Sequence, residues 1–239
     1  MNYAVIFAGG IGSRMTNSNI PKQFIEVNRA PIIIHTIKAF ERNKIIDGIC
    51  IVCIESWINR LEKYIDTAGL KKVKWIVSGA ETGQQSIYNG LKAIYDDNVS
   101  LDEDIVLIND SVRPFVSQRI IGECVDCVKA HGSAITVCPV PETIGEISDT
   151  CIGLITDIPD RNKWYLLKAP QCFFLGDIIE AHNKAIVENR YDCTNSAELM
   201  RRYGHTLFTV IDTPNNIKVT TPIDVSIMKA VIDEGIFDE

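Results

Sequence analysis

No stretch of this sequence is apolar for long enough to cross a membrane as a helix, since no run approaches the ~20 residues that a bilayer requires. The amino terminus has no basic region followed by a long apolar stretch, so we expect no signal peptide and a cytoplasmic protein. Internal repeats, low-complexity tracts and Pro- or Ser-rich linkers are also missing. With 239 residues, these absences predict a single domain that spans positions 1–239.

Positive charge is in short supply, with 24 Lys and Arg residues against 31 Asp and Glu residues and a net charge of −7. This balance argues against a general affinity for nucleic acid or for anionic membranes. Basic side chains that do cluster are therefore expected to serve a local site.

The eight cysteines can be interpreted as metal ligands or as apolar side chains. Two pairs have the Cys-x-x-Cys spacing of zinc sites, Cys50 with Cys53 and Cys124 with Cys127. The first pair lies in a predicted strand, where residues three apart face opposite sides. We therefore favour the second interpretation, that of small buried side chains in a reducing cytoplasm.

Strand-like and helix-like segments alternate along most of the chain. The predicted strands cover 3–7, 49–54, 73–77, 105–108 and 134–138. The predicted helices cover 31–40, 57–68, 86–95, 117–130 and 178–187. This alternation predicts an α/β fold, with a mostly parallel sheet, helices on both faces, and ligands at the carboxyl ends of strands. It stops at about 142–163, where short β-prone pieces predict a projecting hairpin arm.

The segment 8–24, directly after the first predicted strand, has the most distinctive pattern. Three glycines occupy four positions there: Gly9, Gly10 and Gly12. Such a turn lets backbone N–H groups converge on phosphate oxygens, and Arg14 and Lys22 supply the positive charge that a nucleoside triphosphate needs. The pattern is not the dinucleotide-binding fingerprint, because Met15 stands where a third glycine is required. It is not a Walker loop either, because no Gly-Lys-Ser/Thr closes it.

This turn, followed by Pro-Lys-Gln-Phe, resembles the nucleotidyltransferases that activate sugar and polyol phosphates. It is most similar to the cytidylyltransferase branch that handles 2-C-methyl-D-erythritol 4-phosphate and ribitol 5-phosphate, and the likeness covers 3 to about 232. The resemblance implies a Rossmann-like nucleotidyltransferase fold, CTP as substrate, Mg²⁺ as cofactor and a homodimer formed through the arm. It also implies that Ala8 and the three glycines bind the nucleotide, while Arg14, Lys22 and Lys218 carry catalysis.

A second glycine-containing segment, 78–86, opens a predicted helix and offers a second pocket for an anion or a base. The resemblance implies nucleotide contacts from Gly79 and Ser86. Serine near a helix start is also a common cap, which is the alternative here. The family has an arginine where this chain has Gly83, so one charge is missing from the implied nucleotide site.

Asp110 ends the most apolar predicted strand and begins the run Asp-Ser-Val-Arg-Pro. A carboxylate at a strand end can bind the magnesium that accompanies a nucleotide, or hold the nucleotide itself. The run resembles the family's Asp-Ala/Ser-x-Arg-Pro motif, which implies that Arg113 positions this loop or the second substrate. Serine at position 111 looks more like the ribitol-phosphate branch. The alternative is an Asp turn with a surface arginine.

The predicted arm carries Thr143 and Arg161, which match two family residues that contact the sugar phosphate. In the family, the arm exchanges with that of its twin in a homodimer. The phrase Thr-Asp-Ile-Pro-x-Arg at 156–161 again looks more like the ribitol-phosphate enzymes. A surface charge in a loop is the alternative for Arg161.

The last part of the chain combines departures from the family with a strong match. The departures are Ala169 in place of a threonine, and Asn195 and Arg201 in place of two carboxylates. Lys218 is expected on a short strand, facing away from its two neighbours. The final helix is expected to open at Thr221 and Pro222, with Asp224 in its first turn.

The resemblance implies an enzyme that transfers CMP from CTP to a polyol phosphate and releases pyrophosphate. Ribitol 5-phosphate is the first candidate acceptor, giving CDP-ribitol for cell-surface polymers such as teichoic acid or capsule. 2-C-methyl-D-erythritol 4-phosphate, of isoprenoid synthesis, is the second. The departures support a further alternative, a nucleotide-binding homologue without turnover.

Overall fold

The computed structural model describes residues 1–8, 20–97 and 103–236. Four residues of the predicted phosphate-binding turn lie outside the described residues: Gly9, Gly10, Gly12 and Arg14.

The described chain alternates strands and helices as the sequence predicts. The strands are β1 (Asn2–Ala8), β2 (Glu26–Val27), β3 (Ala30–Pro31), β4 (Gly48–Cys53), β5 (Val73–Ser78), β6 (Ile105–Asp110), β7 (Ser133–Pro139), β8 (Glu146–Ile147), β9 (Ile155–Asp157), β10 (Tyr165–Phe174) and β11 (Thr209–Ile211). The helices are α1 (Ile32–Glu41), α2 (Ile58–Ala68), α3 (Gly83–Asp97), α4 (Gln118–His131), α5 (Leu175–Val187), α6 (Ser196–Arg202) and α7 (Pro222–Asp233). Short 3-10 turns cover Lys22–Phe24, Glu55–Trp57 and Arg161–Lys163.

Seven strands form one sheet in the order β11-β7-β10-β6-β1-β4-β5. Strands β1, β4, β5 and β6 are mutually parallel, and β11 is parallel to β7. Strand β10 runs antiparallel to both of its neighbours, β6 and β7. The predicted α/β fold with a mostly parallel sheet is therefore confirmed. The direction of β10 is a feature that hydrophobic periodicity does not report.

Apolar side chains cover the sheet on both faces. One buried cluster includes residues of α1, α2 and α4, and the other includes residues of α3, α5 and α6. Cys53 belongs to the first cluster and Cys50 to the second, so the two thiols point to opposite faces as predicted. Each large aliphatic side chain buried in these layers stabilises the fold by roughly 1.5–3 kcal/mol.

Helix α3 lies close to the sheet at Gly90. A Cβ at this position would lie 2.6 Å from Cγ2 of Val52 and 3.0 Å from Cγ1 of Val5, so any larger residue would push the helix outward. The helix begins three residues before its predicted start. Thr82 and Gln85 cap it reciprocally: the Gln85 N–H donates to Oγ1 of Thr82 and the Thr82 N–H to Oε1 of Gln85, both at 3.1 Å.

The predicted arm is present as an antiparallel hairpin of β8 and β9. It is an insertion between β7 and β10, whose residues Pro139 and Tyr165 pair directly in the main sheet. Its apolar side chains face solvent: Ile152 is fully exposed, and Leu154 and Ile155 are 52% and 55% exposed. The hairpin itself has few internal contacts, since it consists of strands of two and three residues.

At one edge of the sheet, the strand ends that are expected to face a ligand lie side by side. Parallel strands β1 and β6 finish there, and β10 begins there because it runs the opposite way. The side chains that follow these ends therefore meet. In the part of the chain that is described, no helix is long and apolar enough to span a bilayer.

Candidate active site

A cleft of about 280 Å³ opens at this edge of the sheet. Its walls include Phe7, Asp110, Arg113, Lys168, His182 and Lys218. Of the described residues that line it, Asp110 is the one acidic side chain, and three are basic apart from the histidine. The chain as a whole is acidic, so this concentration of positive charge is local, as the sequence predicts for a site that binds phosphate.

Asp110 connects two cations at the cleft. Its Oδ1 lies 2.8 Å from Nζ of Lys218, and its Oδ2 accepts a hydrogen bond of 2.8 Å from Nε of Arg113. The Asp110 side chain is 21% exposed, the Arg113 side chain 9% and the Lys218 side chain 43%. The lysine ammonium is thus held at a fixed point while part of it still faces the cleft.

The carboxyl of Asp110 stays ionised because of these partners. Burial alone would raise its pKa, but the charges of Lys218 and Arg113 and their hydrogen bonds outweigh burial and lower the pKa below 3.8. A lowered carboxyl pKa means that the pairing stabilises the fold at neutral pH. The contribution is lost only as the pH falls through the lowered value.

Lys218 lies in an irregular segment, not on the short strand that the sequence suggests. One backbone hydrogen bond anchors the segment, from the Val219 N–H to the carbonyl of Val112 at 2.9 Å, and a single bond does not make a ladder. Val219 is fully buried in a small cluster with Val112 and Met228. Lys218 is therefore placed by the burial of its neighbour.

Helix α7 starts four residues after Lys218, at Pro222, and fixes the end of its segment. Thr221 and Asp224 form a capping box, with Pro222 in the first turn, which confirms the predicted helix start. Oδ2 of Asp224 also accepts hydrogen bonds from the N–H groups of Thr220 and Thr221, at 2.8 Å and 2.7 Å.

The described ends of the glycine-rich segment are joined by Gln23. Its Nε2 donates to the carbonyl of Ala8 at 2.8 Å, and the glutamine is buried. Phe24 stacks on Trp57 with ring centroids 4.4 Å apart, which fixes the turn that carries Lys22. The Pro-Lys-Gln-Phe motif thus brings Lys22 beside the end of β1, the strand that also contributes Phe7 to the cleft.

Ser86 organises the second glycine-containing loop from inside. Its hydroxyl accepts from the N–H of Ala80 at 2.8 Å and donates to the carbonyl of Thr82 at 2.8 Å, and the residue is buried. Gly79 is tied to the end of β4 through its N–H, which donates to the Cys53 carbonyl at 2.8 Å. A direct contact of Gly79 or Ser86 with a nucleotide stays a prediction.

Thr143 and Arg161 lie on the arm and are exposed. Nη1 of Arg161 donates to the carbonyl of Pro141 at 3.2 Å. Neither residue lines the cleft of its own chain. The structure thus brings Asp110, Arg113 and Lys218 together and leaves Thr143 and Arg161 apart from them.

The structure shows the surroundings of the four residues that depart from the family pattern. Gly83 lines the cleft at the start of α3, where an arginine would reach into it. The carbonyl of Ala169 accepts from Nδ2 of Asn216 at 2.8 Å, a contact that needs no hydroxyl side chain. Asn195 caps α6 by accepting from the Glu198 N–H at 3.0 Å, as an aspartate would. Arg201 is exposed on the same helix.

Lys168 and His182 line the cleft but were not singled out in the sequence. Lys168 is only 9% exposed, although the stretch around it reads as a return to the core. A lysine in such a stretch is itself a signal, because a buried ammonium needs several oxygen partners. His182 is 2% exposed on α5, and burial lowers its pKa to about 4, so its ring is neutral at pH 7. Its helical position among apolar residues gave no separate signal.

Among the described residues that line the cleft, Asp110 is the one carboxylate that could hold a metal ion. Across the described ranges, no group of three or more His, Cys, Asp or Glu side chains is arranged to hold a metal ion. Mg²⁺ is commonly held by one or two carboxylates together with substrate phosphates. A single carboxylate beside a phosphate site fits that mode.

Comparisons with known proteins agree with one another. The family model described as 2-C-methyl-D-erythritol 4-phosphate cytidylyltransferase matches residues 2–234. The chain is 44% identical to the ribitol-5-phosphate cytidylyltransferase of Vibrio parahaemolyticus, over 98% of this chain and 96% of that one. It is 35% identical to the 2-C-methyl-D-erythritol 4-phosphate cytidylyltransferase of Geobacter metallireducens, over 97% of each chain.

A solved structure shows the same fold. The 4-diphosphocytidyl-2C-methyl-D-erythritol synthase of Anaerococcus prevotii superposes with a TM-score of 0.81 at 24% identity, covering 97% of this chain and 96% of that one.

Proposed function

The chain belongs to the 2-C-methyl-D-erythritol 4-phosphate cytidylyltransferase family, and we propose that it transfers CMP from CTP to ribitol 5-phosphate, forming CDP-ribitol and pyrophosphate. The product would serve cell-surface polymers such as teichoic acid or capsule. The choice of acceptor is supported by the higher identity to the ribitol-phosphate relative, 44%, than to the methylerythritol-phosphate relative, 35%.

The observation that carries the proposal is the Asp110–Lys218 ion pair of 2.8 Å at the carboxyl edge of the sheet. Nucleotidyl transfer needs no protein nucleophile. An oxygen of the acceptor phosphate attacks the α-phosphorus of CTP, the bond to the bridging oxygen breaks, and pyrophosphate leaves with its negative charge. Catalysis of such a step consists of positioning and of compensating the developing charge.

The basic side chains have distinct proposed roles. Lys22, beside the end of β1, and Lys218, held by Asp110, stabilise the negative charge at the α-phosphate in the transition state. Arg14, outside the described residues, acts with them on the triphosphate. Arg113 keeps the carboxylate of Asp110 oriented, through its 2.8 Å hydrogen bond, and with it the ammonium of Lys218.

Mg²⁺ is part of the proposal, with Asp110 and the phosphates of CTP as its ligands. When bound there, the ion would supply positive charge that compensates the leaving pyrophosphate. Gly79 and Ser86, together with Ala8 and the glycines at 9, 10 and 12, form the proposed nucleotide site.

We propose that two copies of the chain pair through the arm, in the cytoplasm. The support is the apolar surface of the arm, where side chains such as Ile152 and Leu154 are exposed. In a dimer, Thr143 and Arg161 of one protomer would reach the cleft of the other and bind the acceptor phosphate. This arrangement would account for their separation from the cleft of their own chain.

Pyrophosphate release by the purified protein tests the proposal. The assay combines Mg²⁺ and one nucleotide, CTP, ATP, GTP or UTP, with either ribitol 5-phosphate or 2-C-methyl-D-erythritol 4-phosphate. We expect release with CTP and ribitol 5-phosphate, and a Lys218→Ala protein prepared in parallel controls for contaminating enzymes.

Other outcomes have definite meanings. Release with CTP and the methylerythritol acceptor alone would replace the substrate, and equal rates with both would remove the basis for choosing one. If no pair of substrates gives pyrophosphate release but CTP binds in a calorimetric titration, the catalytic proposal is overturned in favour of a nucleotide-binding homologue.

A further inference from the structure

We propose that Lys168 is a positioning residue that holds the catalytic Lys218 in place by fastening the backbone of the segment 213–216. The inference rests on the proposed function, because it assigns Lys168 a part in the same reaction. It concerns how the cleft is built and does not require Lys168 to touch either substrate.

The ammonium of Lys168 has three hydrogen bonds to backbone carbonyls. Nζ donates to Thr213 at 3.1 Å, to Pro214 at 3.3 Å and to Asn216 at 3.1 Å. An ammonium has three donors and no acceptor, so this set uses all of them. The ammonium therefore has no donor left for another group. The methylene chain of Lys168 extends from β10 and places the ammonium beside the segment 213–216.

One of these three carbonyls, that of Asn216, is also bonded to Arg113, the partner of Asp110. The carbonyl of Asn216 accepts from Lys168 and also from Nη1 of Arg113 at 3.0 Å. The side chain of Asn216 returns to β10 by donating to the Ala169 carbonyl at 2.8 Å. Lys168, Arg113 and Asn216 thus join β10, the Asp110 loop and the segment before Lys218 at a single carbonyl.

Lys218 is only two residues beyond this carbonyl. Beyond Lys218, the Val219 N–H donates to the Val112 carbonyl, and none of the strands in the described ranges pairs with the segment. Irregular backbone of this kind keeps its position only while side chains satisfy its carbonyls. Without Lys168, the carbonyls of Thr213 and Pro214 lose their side-chain donor, and Asn216 keeps only its bond from Arg113. The ammonium of Lys218 is then free to move relative to Asp110.

A lysine is a demanding choice for this task, which argues that the task matters. Burial opposes its charge and lowers the pKa of Lys168 from the ordinary value, and the nearby Arg113 adds to that effect. An apolar side chain would fill the space without this penalty. The carbonyl dipoles compensate the charge only because the segment folds around the ammonium.

The test compares Lys168→Met with Lys184→Met in the full-length protein. Methionine keeps much of the stem and removes the donors, while Lys184 is an exposed lysine, paired with Glu180 on α5. We expect Lys168→Met to lower kcat by about 10- to 100-fold, as for a catalytic group displaced by ~1 Å, with little change in KM for CTP. Lys184→Met should behave as wild type.

A double-mutant cycle separates positioning from general structural damage. If Lys168 acts through Lys218, adding Lys168→Met to a Lys218→Ala protein should lower kcat no further, because the group being positioned is already absent. A full additional loss in that background would overturn the proposal, as would a wild-type kcat for Lys168→Met alone.

Hydrogen–deuterium exchange gives a reading that does not depend on turnover. Peptides covering 213–219 should exchange faster in Lys168→Met than in Lys184→Met, while β1 and β6 remain protected. Unchanged exchange in 213–219 would contradict the inference. If the wild-type protein releases no pyrophosphate with any pair, the proposed function fails, and the exchange experiment still decides the role of Lys168.

Discussion

The cleft and the arm are built on opposite principles. In the cleft, charged side chains are partnered within the chain: Asp110 pairs with Arg113 and Lys218, and Lys168 uses each of its donors. In the arm, the prominent side chains are apolar and face solvent, and Ile152 is fully exposed. The first region pairs these charges within the chain, whereas the second leaves an apolar surface uncovered.

This difference separates what one chain can do alone from what requires another. A cleft whose charges are already held by intrachain contacts is preorganised for a triphosphate before any partner arrives. An arm with exposed apolar side chains and two residues predicted to bind phosphate gains a role when a surface covers it. Nucleotide binding and acceptor binding are therefore expected to respond differently to mutation.

The largest effect is expected in the cleft. Lys218→Ala should lower kcat by about 10²–10³-fold, since a preorganised donor to transition-state charge is worth roughly 3–4 kcal/mol, and Lys22→Ala should have a loss of the same order. Steady-state pyrophosphate release measures both, with exposed Lys92→Ala as the control. A Lys218→Ala enzyme with near-normal kcat would break the assignment of catalysis to the cleft.

The apolar wall of the cleft gives the next effect. Burial lowers the pKa of His182 from the ordinary 6.5 to about 4 in the folded protein. Between these two pH values, the imidazole is protonated in the unfolded chain and neutral in the folded protein. Stability is therefore lost as the pH falls from 7 toward 4.5, by about 2 to 3 kcal/mol from this residue. Urea unfolding at both pH values should show a smaller loss in His182→Leu than in wild type.

A histidine control sharpens that measurement. His205→Gln removes a histidine elsewhere in the chain and is expected to keep the wild-type difference between the two pH values. If His182→Leu also keeps it, the ring is not held neutral inside the cleft wall.

The arm should respond through the acceptor. The double substitution Ile152→Asp and Leu154→Asp places charges on the apolar surface, and we expect monomers in analytical ultracentrifugation. The KM for the acceptor should rise by about tenfold, near 1.4 kcal/mol, with CTP affinity unchanged. Matched exposed changes on α5, Glu180→Asp with Lys184→Arg, serve as the control. Loss of CTP binding in the arm variant would remove the distinction between the two regions.

The smallest effect concerns the thiols, which are exposed on the arm and buried in the sheet. Cys151 is exposed on the arm, whereas Cys50 and Cys53 are buried in the sheet, where burial raises their pKa values to about 12 and about 11. Iodoacetamide at pH 7 should label Cys151 in the native protein and spare the sheet cysteines, as peptide mass spectrometry will show. Rapid labelling of Cys50 would contradict the buried environment.

The local sequence pattern predicted the positions of strands and helices well, and the contacts between distant segments less well. The first strand was expected at 3–7 and occupies Asn2–Ala8, because a short apolar run that is followed by glycines has few alternatives. Helix α3 was expected from position 86 and begins at Gly83, since the Thr82–Gln85 capping box outweighs the low helix propensity of the glycine. Both outcomes are decided by residues close in sequence.

The features that the sequence did not predict depend on residues that lie far apart in the chain. Lys218 was expected on a strand, but none of the described strands pairs with it. Its place depends on Val112, about a hundred positions earlier, which bonds to its neighbour Val219. Lys168 escaped notice because its three acceptors lie some 45 positions later. Asp110 and Arg113 were found from a motif, and their contacts with each other are local. Contacts between distant segments were available only from the fold.

The pairing of Pro139 with Tyr165 has a consequence for how such a protein can change. The two ends of the arm meet as neighbours in the sheet, so a turn of about two to five residues would be enough to join them. The arm is then a module that can lengthen, shorten or be exchanged while the sheet keeps its register, because loop length affects stability only weakly. A chain with 140–164 replaced by such a turn is expected to unfold cooperatively near the wild-type temperature. If the arm binds the acceptor as proposed, a change of arm would alter which polyol phosphate is accepted while the cleft residues stay unchanged.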